Sequence, residues 1–291
     1  MQIRTQEPLK NWTTLKIGGP AKTFYQPENE EELSALIEQL NQKNEPMVVL
    51  GNGSNMLFED EGFEGSVIQI GAPFATVEKL DDQTVRVGAG MVNEDLANWL
   101  AKEGLGGFEF ASGIPGTIGG AVMMNAGAYD GEIKDVITSV RYLDESGTLQ
   151  EKQADDLDLA YRHSWFTDHF GVIVSADFAF VPKDSDQIFE KIKELHDKRW
   201  SKQPMDKASA GSTFKRPVNG YASAMIHECG LQGTSVGDAM VSTKHAGFLI
   251  NDGNATCKDF LGLVEHVKQV VKEKKGADLE LEVRFIPRSG K

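Results

Sequence analysis

Two glycine-rich segments carry the most distinctive chemistry of this chain. "GNGSN", at residues 51–55, follows the apolar run "MVVL", and "SGIPGTIGGAVMMNAGAYDGEI", at residues 112–133, contains six glycines. Glycine lets a ligand approach the peptide groups closely, and successive backbone N–H groups in such turns form a nest for an anionic oxygen. "GNGSN" alone is equally typical of a hairpin turn, but two loops can clamp a long ligand where one cannot. We therefore expect a ligand to lie along the main chain here.

A pair of charged residues stands out near the end of the sequence, in "LELEVRFI" at residues 279–286. Side chains of a strand alternate between its two faces. One face then carries Leu279, Leu281, Val283 and Phe285, and the other carries Glu280, Glu282 and Arg284. A carboxylate and a guanidinium therefore project side by side, either as part of a binding site or as a surface ion pair of little energetic value.

Two further motifs are weaker. "TVRVGAGMVNEDL" begins like a dinucleotide-binding fingerprint, but Asn93 stands where its third glycine belongs, so a strand-to-helix turn is the better interpretation. His227 and Cys229 lack a second pair of ligands, and the sequence therefore predicts no metal site.

The surrounding sequence alternates helices and short strands. Residues 30–43 are expected to form a helix with Asn29 as its N-cap, and "NEDLANWLAKEG" a second one among several strands rich in β-branched residues. A polar helix beginning near residue 184 ends before Pro204. "TCKDFLGLVEHVKQVVKEKKG" combines an apolar stripe with a capping box, Thr256 and Asp259, and stops at Gly276.

These elements predict an α+β protein with two domains. Its 291 residues exceed the usual size of one domain, and 40% hydrophobic content suffices for two cores. We place the first domain at residues 1–183, with its ligand-binding part at about 17–183, and the second at 184–291.

Composition excludes some partners. Lysine and arginine number 30 against 44 aspartates and glutamates, giving a net charge of −14, which argues against nucleic acid as a ligand. Two cysteines, without a CxxC pair, fit a reducing compartment. The sequence shows neither a signal-type apolar core at its start nor a run long enough to span a membrane. We expect a soluble cytoplasmic protein without membrane insertion.

Five segments in order resemble one known family. "GNGSN", "GIPGTIGGAVMMNAGAY", "AYRHSWF", "AGSTFKRP" and "LEVRFI" are similar to the corresponding segments of UDP-N-acetylenolpyruvoylglucosamine reductases. The resemblance implies an FAD-binding domain of the vanillyl-alcohol-oxidase type, not Rossmann, followed by a smaller α+β substrate-binding domain. It also implies NADPH as co-substrate, UDP-N-acetylglucosamine enolpyruvate as substrate, a role in peptidoglycan precursor and cell wall synthesis, and no obligate protein partner.

The resemblance assigns FAD mainly to backbone groups of the two loops. The implied cofactor-binding residues are Gly51, Asn52, Gly53, Ser54, Asn55, Ser112, Gly113, Ile114, Pro115, Gly116, Thr117, Gly119, Gly120, Asn125, Gly127 and Ala128.

The resemblance also assigns the reaction. Ser212 matches the family's proton donor, Glu282 its acid-assisting carboxylate, and Arg162 the arginine that polarises the substrate carboxylate. Arg284 is implied in holding the carboxylate, and Tyr161 lies beside Arg162 in the sequence. From the residues alone, Ser212 would be a turn serine and Tyr161 and Arg162 an exposed loop pair.

The sugar-nucleotide end of the substrate requires local positive charge. Lys215, Arg216 and Lys244 are the candidates for its diphosphate, although Arg216 stands where some family members have asparagine. The short spacing from Arg162 to Ser212 matches members without an extra tyrosine loop, so we expect another segment, near "MVSTKHAGFLIN", to close over the nucleotide.

Two alternatives remain open at the level of sequence. A flavin-dependent oxidase of the same fold would return reduced flavin rapidly to O₂. A nucleotide-binding module without enzymatic activity would retain no flavin and would not oxidise NADPH.

Overall fold

The computed structural model describes residues 1–290. The α-helices are α1 Glu30–Gln42, α2 Asn93–Lys102, α3 Ile118–Met123, α4 Trp165–Asp168, α5 Ser185–Lys202, α6 Ala222–Glu228 and α7 Cys257–Lys275. The strands are β1 Gln2–Pro8, β2 Pro20–Gln26, β3 Met47–Leu50, β4 Met56–Phe58, β5 Phe63–Gln69, β6 Val77–Lys79, β7 Thr84–Gly88, β8 Leu105–Gly106, β9 Gly127–Ala128, β10 Gly131–Glu132, β11 Ile137–Leu143, β12 Leu149–Gln153, β13 Val172–Ala179, β14 Val181–Pro182, β15 Ala208–Ser209, β16 Ser235–Val236, β17 Ala239–Val241, β18 Leu249–Asn251 and β19 Arg284–Ile286.

The chain folds as two compact units that interleave along the sequence. Unit 1 comprises Met1–Arg4, Phe24–Asn52 and Ser66–Lys198, and unit 2 comprises Thr5–Thr23, Gly53–Gly65 and the chain from Arg199 onward. The predicted boundary between residues 183 and 184 stays a prediction. A single boundary cannot describe the two units, because unit 2 includes Thr5–Thr23 and Gly53–Gly65 from the early part of the chain.

Unit 1 is organised around a five-stranded sheet in the order β12-β11-β13-β7-β6, with antiparallel neighbours throughout. Antiparallel pairing distinguishes this sheet from the mostly parallel sheet of a Rossmann fold. Strand β3 also pairs in parallel with residues 66–69 of β5 in this unit. The core includes Leu33, Ile37, Val87, Leu96, Val140 and Phe178, each fully buried.

Helix α1 forms where the sequence predicts it. The side chain of Asn29 accepts a hydrogen bond from the Glu32 N–H at 2.8 Å, which satisfies one of the free donors of the first turn. The apolar stripe of the helix, Leu33, Leu36, Ile37 and Leu40, is buried as expected.

Unit 2 contains the sheet β15-β18-β17-β16, the parallel pair β4 and β19, and helices α6 and α7. Its core joins Leu15, Ile17 and Leu57 to the apolar stripe of α7. That stripe consists of Phe260, Leu263, Val264, Val267 and Val271, as predicted.

Both ends of α7 confirm the sequence pattern. Thr256 and Asp259 form the reciprocal capping box, with 3.0 Å hydrogen bonds in both directions, and Gly276 ends the helix with φ of 67°. Asp60 adds a contact that the sequence did not predict. Its carboxylate accepts from the N–H groups of Cys257 at 2.7 Å and Lys258 at 3.1 Å, so a negative charge lies at the positive end of the helix.

Candidate active site

The glycine loops of unit 1 meet through Thr117. Gly51 follows strand β3, and a Cβ atom at that position would lie 2.4 Å from Oγ1 of Thr117. Thr117 is buried and precedes α3, whose first residues are fixed by hydrogen bonds from Ile118 N–H to the Met91 carbonyl and from Gly119 N–H to the Ala89 carbonyl. The first loop therefore requires glycine because the second loop approaches it closely.

The glycines of residues 112–133 serve two purposes. Added Cβ atoms would lie 3.1 Å from the Ala89 Cβ at Gly119, 2.8 Å from the Glu132 Cβ at Gly127 and 2.6 Å from the Phe110 ring at Gly131. These three glycines permit packing of chain against chain. At Gly120 the nearest atom is Thr117 Oγ1 at 4.0 Å, so this position faces open space that a ligand can occupy.

Polar side chains of the second loop are turned toward the protein. Asn125 is fully buried, and its amide donates to the Glu132 carboxylate at 2.7 Å and to the Ala160 carbonyl at 3.0 Å, while its oxygen accepts from the Lys134 N–H at 2.9 Å. Ser112 donates to the Glu109 carbonyl at 2.8 Å. Because these side chains are engaged within the protein, a cofactor along this loop would contact peptide groups, as the sequence prediction requires.

Arg162 lies in a tight turn beside the second loop. Ala160 and His163 exchange backbone hydrogen bonds at 3.2 and 3.1 Å, and Arg162 has φ of 55°, a strained conformation for a residue with a side chain. Its guanidinium donates to the Gly127 carbonyl at 3.3 Å and lies 5.0 Å from the centre of the exposed Tyr161 ring. The structure thus brings Arg162 together with Gly127, a predicted cofactor-binding residue.

Ser212 and Glu282 lie in two segments of unit 2 that an isolated β-bridge joins. Glu282 N–H donates to the Thr213 carbonyl at 2.9 Å, Lys215 N–H donates to the Glu280 carbonyl at 2.8 Å, and Phe214 and Leu281 form an antiparallel bridge between these bonds. Ser212 is exposed, whereas Thr213 is fully buried. Ser212 and Glu282 are 70 positions apart, so the sequence alone does not reveal this pairing. The pairing places Ser212, the predicted proton donor, next to Thr213, the residue bonded to Glu282.

Asn55, in the first glycine-rich segment, is hydrogen-bonded to Glu282 and Arg284. Its side chain donates to the Glu282 carbonyl at 3.1 Å, and its carbonyl accepts from the Arg284 N–H at 3.0 Å. Strands β4 and β19 continue this connection as a parallel pair, with Arg284 opposite Met56. Asn55, predicted to bind the cofactor, is therefore held in register with Glu282, predicted to be catalytic, and with Arg284, predicted to bind the substrate.

The alternation of "LELEVRFI" is confirmed around Arg284. Leu279 and Val283 are buried, and Glu280 and Arg284 are exposed. The Arg284 side chain is open to solvent, yet the protein atoms around it remove part of its hydration and lower the pKa of the guanidinium. Arginine remains charged at neutral pH, so the loss of hydration leaves a cation ready to bind an anion.

The three predicted diphosphate-binding cations have different surroundings. Lys215 pairs with Glu280, and Lys244 Nζ donates to the Trp200 carbonyl at 2.6 Å. The Arg216 guanidinium lies 4.7 Å from the ring centre of Tyr221, which is 60% exposed. Sequence reasoning missed Tyr221, since an arginine five positions before a tyrosine carries no recognised pattern.

Comparison with known proteins defines the class. Residues 21–152 match the model of an FAD binding domain, and residues 203–286 match the model described as UDP-N-acetylenolpyruvoylglucosamine reductase, C-terminal domain. The chain is thus a flavoprotein of the oxidoreductase class with an FAD-binding domain and an α+β fold, as the sequence predicted.

Relatives over the whole length identify the family. UDP-N-acetylenolpyruvoylglucosamine reductase of Lachnoclostridium phytofermentans is 44% identical, covering 98% of this chain and 93% of the relative, and that of Clostridium tetani is 43% identical, covering 98% and 92%. The crystal structure of UDP-N-acetylenolpyruvylglucosamine reductase from Thermus caldophilus superimposes with a TM-score of 0.84 at 35% identity, covering 98% of this chain and 99% of that one. The chain belongs to the UDP-N-acetylenolpyruvoylglucosamine reductase family.

Within residues 1–290, no helix combines the length and apolar character needed to cross a membrane. Across the same residues, no group of three or more histidine, cysteine, aspartate or glutamate side chains could hold a metal ion. Cys229 and Cys257 are both buried and free.

Proposed function

We propose that this protein reduces the enolpyruvyl group of UDP-N-acetylglucosamine enolpyruvate to give UDP-N-acetylmuramate, with NADPH as reductant, in the cytoplasmic synthesis of peptidoglycan precursors. Family membership supports the reaction class, and the FAD-binding domain supports the cofactor. The observation that carries the assignment is the pairing of residues 213–215 with 280–282, which brings Ser212 close to the segment that contains Glu282 and leads into β19 at Arg284.

FAD fits the residues that are present, because Gly120 opens onto free space and the polar side chains of Ser112 and Asn125 are engaged elsewhere. We propose that peptide groups of residues 51–55 and 112–128 hold it. When bound, FAD supplies the hydride, which it takes from NADPH.

The substrate double bond gains one hydride and one proton in this reaction. Hydride addition at the β-carbon leaves negative charge on the α-carbon and the adjoining carboxylate, which favours nearby cations and hydrogen-bond donors. We propose that the Ser212 hydroxyl donates the proton to the α-carbon and that Glu282 assists it. A hydroxyl is a weak acid in water, but a basic carbanion accepts its proton when the two are held within hydrogen-bonding distance.

Arg162 and Arg284 are proposed to bind the substrate carboxylate. A planar guanidinium can grip a carboxylate through two parallel hydrogen bonds, and the charge gives a larger benefit as negative charge develops. The incomplete hydration of Arg284 strengthens such a contact, because less water must be displaced when the anion arrives.

The nucleotide end is proposed to meet Lys215, Arg216 and Lys244. Lys215 contacts a carboxylate, Arg216 an aromatic ring and Lys244 a carbonyl oxygen. These residues would supply the local positive charge that a chain of net charge −14 lacks overall.

The test is an anaerobic visible spectrum of the purified protein, recorded before NADPH, after one equivalent of NADPH, and after addition of UDP-N-acetylglucosamine enolpyruvate. The proposed function requires a flavin band that NADPH bleaches and that the enolpyruvyl sugar restores. A band that the sugar leaves bleached but O₂ restores rapidly would instead favour an oxidase of the same fold. Absence of any flavin after reconstitution with FAD would contradict both.

A further inference from the structure

The turn 242–248 in unit 2 contains a histidine that the proposed reaction does not use. The backbone N–H of Gly247 donates to Nδ1 of His245 at 3.2 Å. The turn is closed by hydrogen bonds from Phe248 N–H to the His245 carbonyl at 3.0 Å and from Ser242 N–H to the Phe248 carbonyl at 2.9 Å. The sequence singles out this segment as a cover for the nucleotide, which stays a prediction, and the hydrogen bonds within the turn fix its backbone.

Gly247 connects the turn to the proposed proton donor. Its carbonyl accepts a hydrogen bond at 2.9 Å from the N–H of Thr213, the peptide that joins Thr213 to Ser212. Thr213 Oγ1 in turn accepts from the Leu249 N–H at 3.0 Å, and the Thr213 carbonyl accepts from Glu282. The turn therefore fixes the peptide that joins Ser212 to Thr213, and Glu282 fixes the next peptide, which joins Thr213 to Phe214.

The imidazole ring of His245 is held in place by its neighbours. Its centre lies 5.0 Å from that of the Phe248 ring in an edge-to-face arrangement, and the side chain is half-buried. A Cβ atom at position 247 would lie 3.1 Å from both the His245 ring and the Ser223 Cβ, so glycine permits the close approach. Burial lowers the pKa of His245 below its ordinary value and so favours the neutral ring, in which Nδ1 accepts from the Gly247 N–H.

We propose that His245 is a positioning residue for proton transfer. Its Nδ1 accepts from the Gly247 N–H, and the carbonyl of Gly247 accepts from the peptide that joins Ser212 to Thr213. The inference rests on the proposed function, because it takes Ser212 as the proton donor. Displacement of a reacting group by about 1 Å can cost on the order of a hundredfold in rate, so loss of this acceptor should slow the proton-transfer half of the reaction selectively.

The experiment compares His245→Phe and His245→Asn with the parent holoenzyme. Phenylalanine keeps a ring beside Phe248 but removes the acceptor, whereas asparagine restores an acceptor, since its side-chain oxygen readily bonds the N–H two residues ahead. His266→Phe, on the exposed face of α7, is the matched control. Anaerobic stopped-flow spectroscopy measures flavin reduction by NADPH and its reoxidation over a range of UDP-N-acetylglucosamine enolpyruvate concentrations.

We expect His245→Phe to lower the limiting rate of reoxidation by roughly tenfold or more while reduction by NADPH stays within about twofold. His245→Asn should recover most of the lost rate, and His266→Phe should match the parent. Thermal unfolding and the flavin spectrum verify that each variant is folded and contains flavin. If His245→Phe does not fold, the comparison of His245→Asn with His245→Ala tests the inference instead.

Three outcomes would overturn the inference: unchanged reoxidation in His245→Phe, equal loss in both half-reactions, or a change confined to the half-saturating sugar concentration, which would indicate direct substrate binding. A parent enzyme that the sugar does not reoxidise would overturn the proposed function itself. The two failures are therefore distinguishable.

Discussion

Glu282 donates its backbone N–H to the carbonyl oxygen of Thr213 over 2.9 Å. This single hydrogen bond defines the register in which Ser212 and Glu282 are presented, since the adjacent bridge between Phe214 and Leu281 repeats the pairing one residue further along. A slip of one residue would turn Glu282 toward the core and Val283 outward, so the buried position of Val283 locks the register.

Ser212→Ala should separate the two half-reactions. The substitution removes only a hydroxyl at an exposed position, so we expect flavin reduction by NADPH to stay within about twofold and reoxidation by the enolpyruvyl sugar to fall by orders of magnitude. Anaerobic stopped-flow spectroscopy measures both rates, with Ser289→Ala as the control at another exposed serine. Equal loss in both half-reactions would contradict the role of Ser212 as proton donor.

Arg284→Lys should be harmful although it preserves the charge. Lysine cannot reproduce a bidentate grip on a carboxylate, so we expect kcat/KM for the enolpyruvyl sugar to fall by roughly tenfold or more. Arg288→Lys is the matched control, because Arg288 contacts Glu64 at an exposed ion pair of little energetic value. Steady-state kinetics like those of the parent enzyme in Arg284→Lys would show that Arg284 does not hold the carboxylate.

Gly120→Ala tests whether the open space at α3 belongs to the cofactor. The new methyl group would meet only Thr117 Oγ1, at 4.0 Å. The free energy of unfolding should therefore stay unchanged or rise by about 0.5–1 kcal/mol, while the affinity for FAD falls. Gly262→Ala, a helical glycine in α7, should leave FAD affinity unchanged. Urea unfolding of the apoprotein and fluorescence titration with FAD measure the two quantities. Undiminished affinity in Gly120→Ala would place FAD elsewhere.

Asp60→Ala should destabilise α7. The variant loses two charge-assisted hydrogen bonds to the N–H groups of Cys257 and Lys258, and we expect the free energy of unfolding to fall by about 1–2 kcal/mol. Glu61→Ala, at the neighbouring exposed residue, should change it by less than about 0.5 kcal/mol. Denaturant unfolding that gives equal values for both variants would refute the capping role of Asp60.

Cys257 should respond to pH only at high values. Burial, reinforced by Asp60 and neighbouring carboxylates, raises the pKa of the Cys257 thiol to about 12 from an ordinary value of 9.0. Because the folded-state pKa is raised, the contribution of the protonated Cys257 thiol to the free energy of unfolding is fully present below pH 9 and is lost as pH rises toward 12. In Cys229→Ala, which leaves Cys257 as the remaining cysteine, alkylation at pH 8.5 should be slow in the native protein and rapid in denaturant. Rapid native alkylation would contradict the protected thiol.

Local patterns predicted much of the fold. The cap of α1 at Asn29, the capping box of α7 and the alternation around Val283 depend on residues a few positions apart, and each is confirmed. The sequence missed α3, because glycines at positions 119 and 120 disfavour a helix that tertiary contacts with Ala89 and Met91 stabilise.

Long-range relationships were beyond such patterns. Nothing near Gly51 indicates that Thr117 fills the space of its missing side chain, and nothing near Asp60 indicates that it caps α7. The glycines were predicted to make room for a ligand, whereas those at 51, 119, 127 and 131 make room for the chain itself and Gly120 alone among those compared opens outward. Residue composition reveals that close approach is needed, but only the fold reveals what approaches.

The link between Asn55 and Glu282 spans 227 positions of the chain. During synthesis the ribosome releases residues 51–55 long before Glu282 and β19 exist, so Asn55 lacks these hydrogen-bond partners until β19 has emerged. Contacts of such sequence separation form slowly because a long loop must close first. The order of residues 51–55, which we propose to hold FAD, is thereby coupled to completion of the polypeptide, and fragments truncated before β19 should lack a fully ordered loop at these residues.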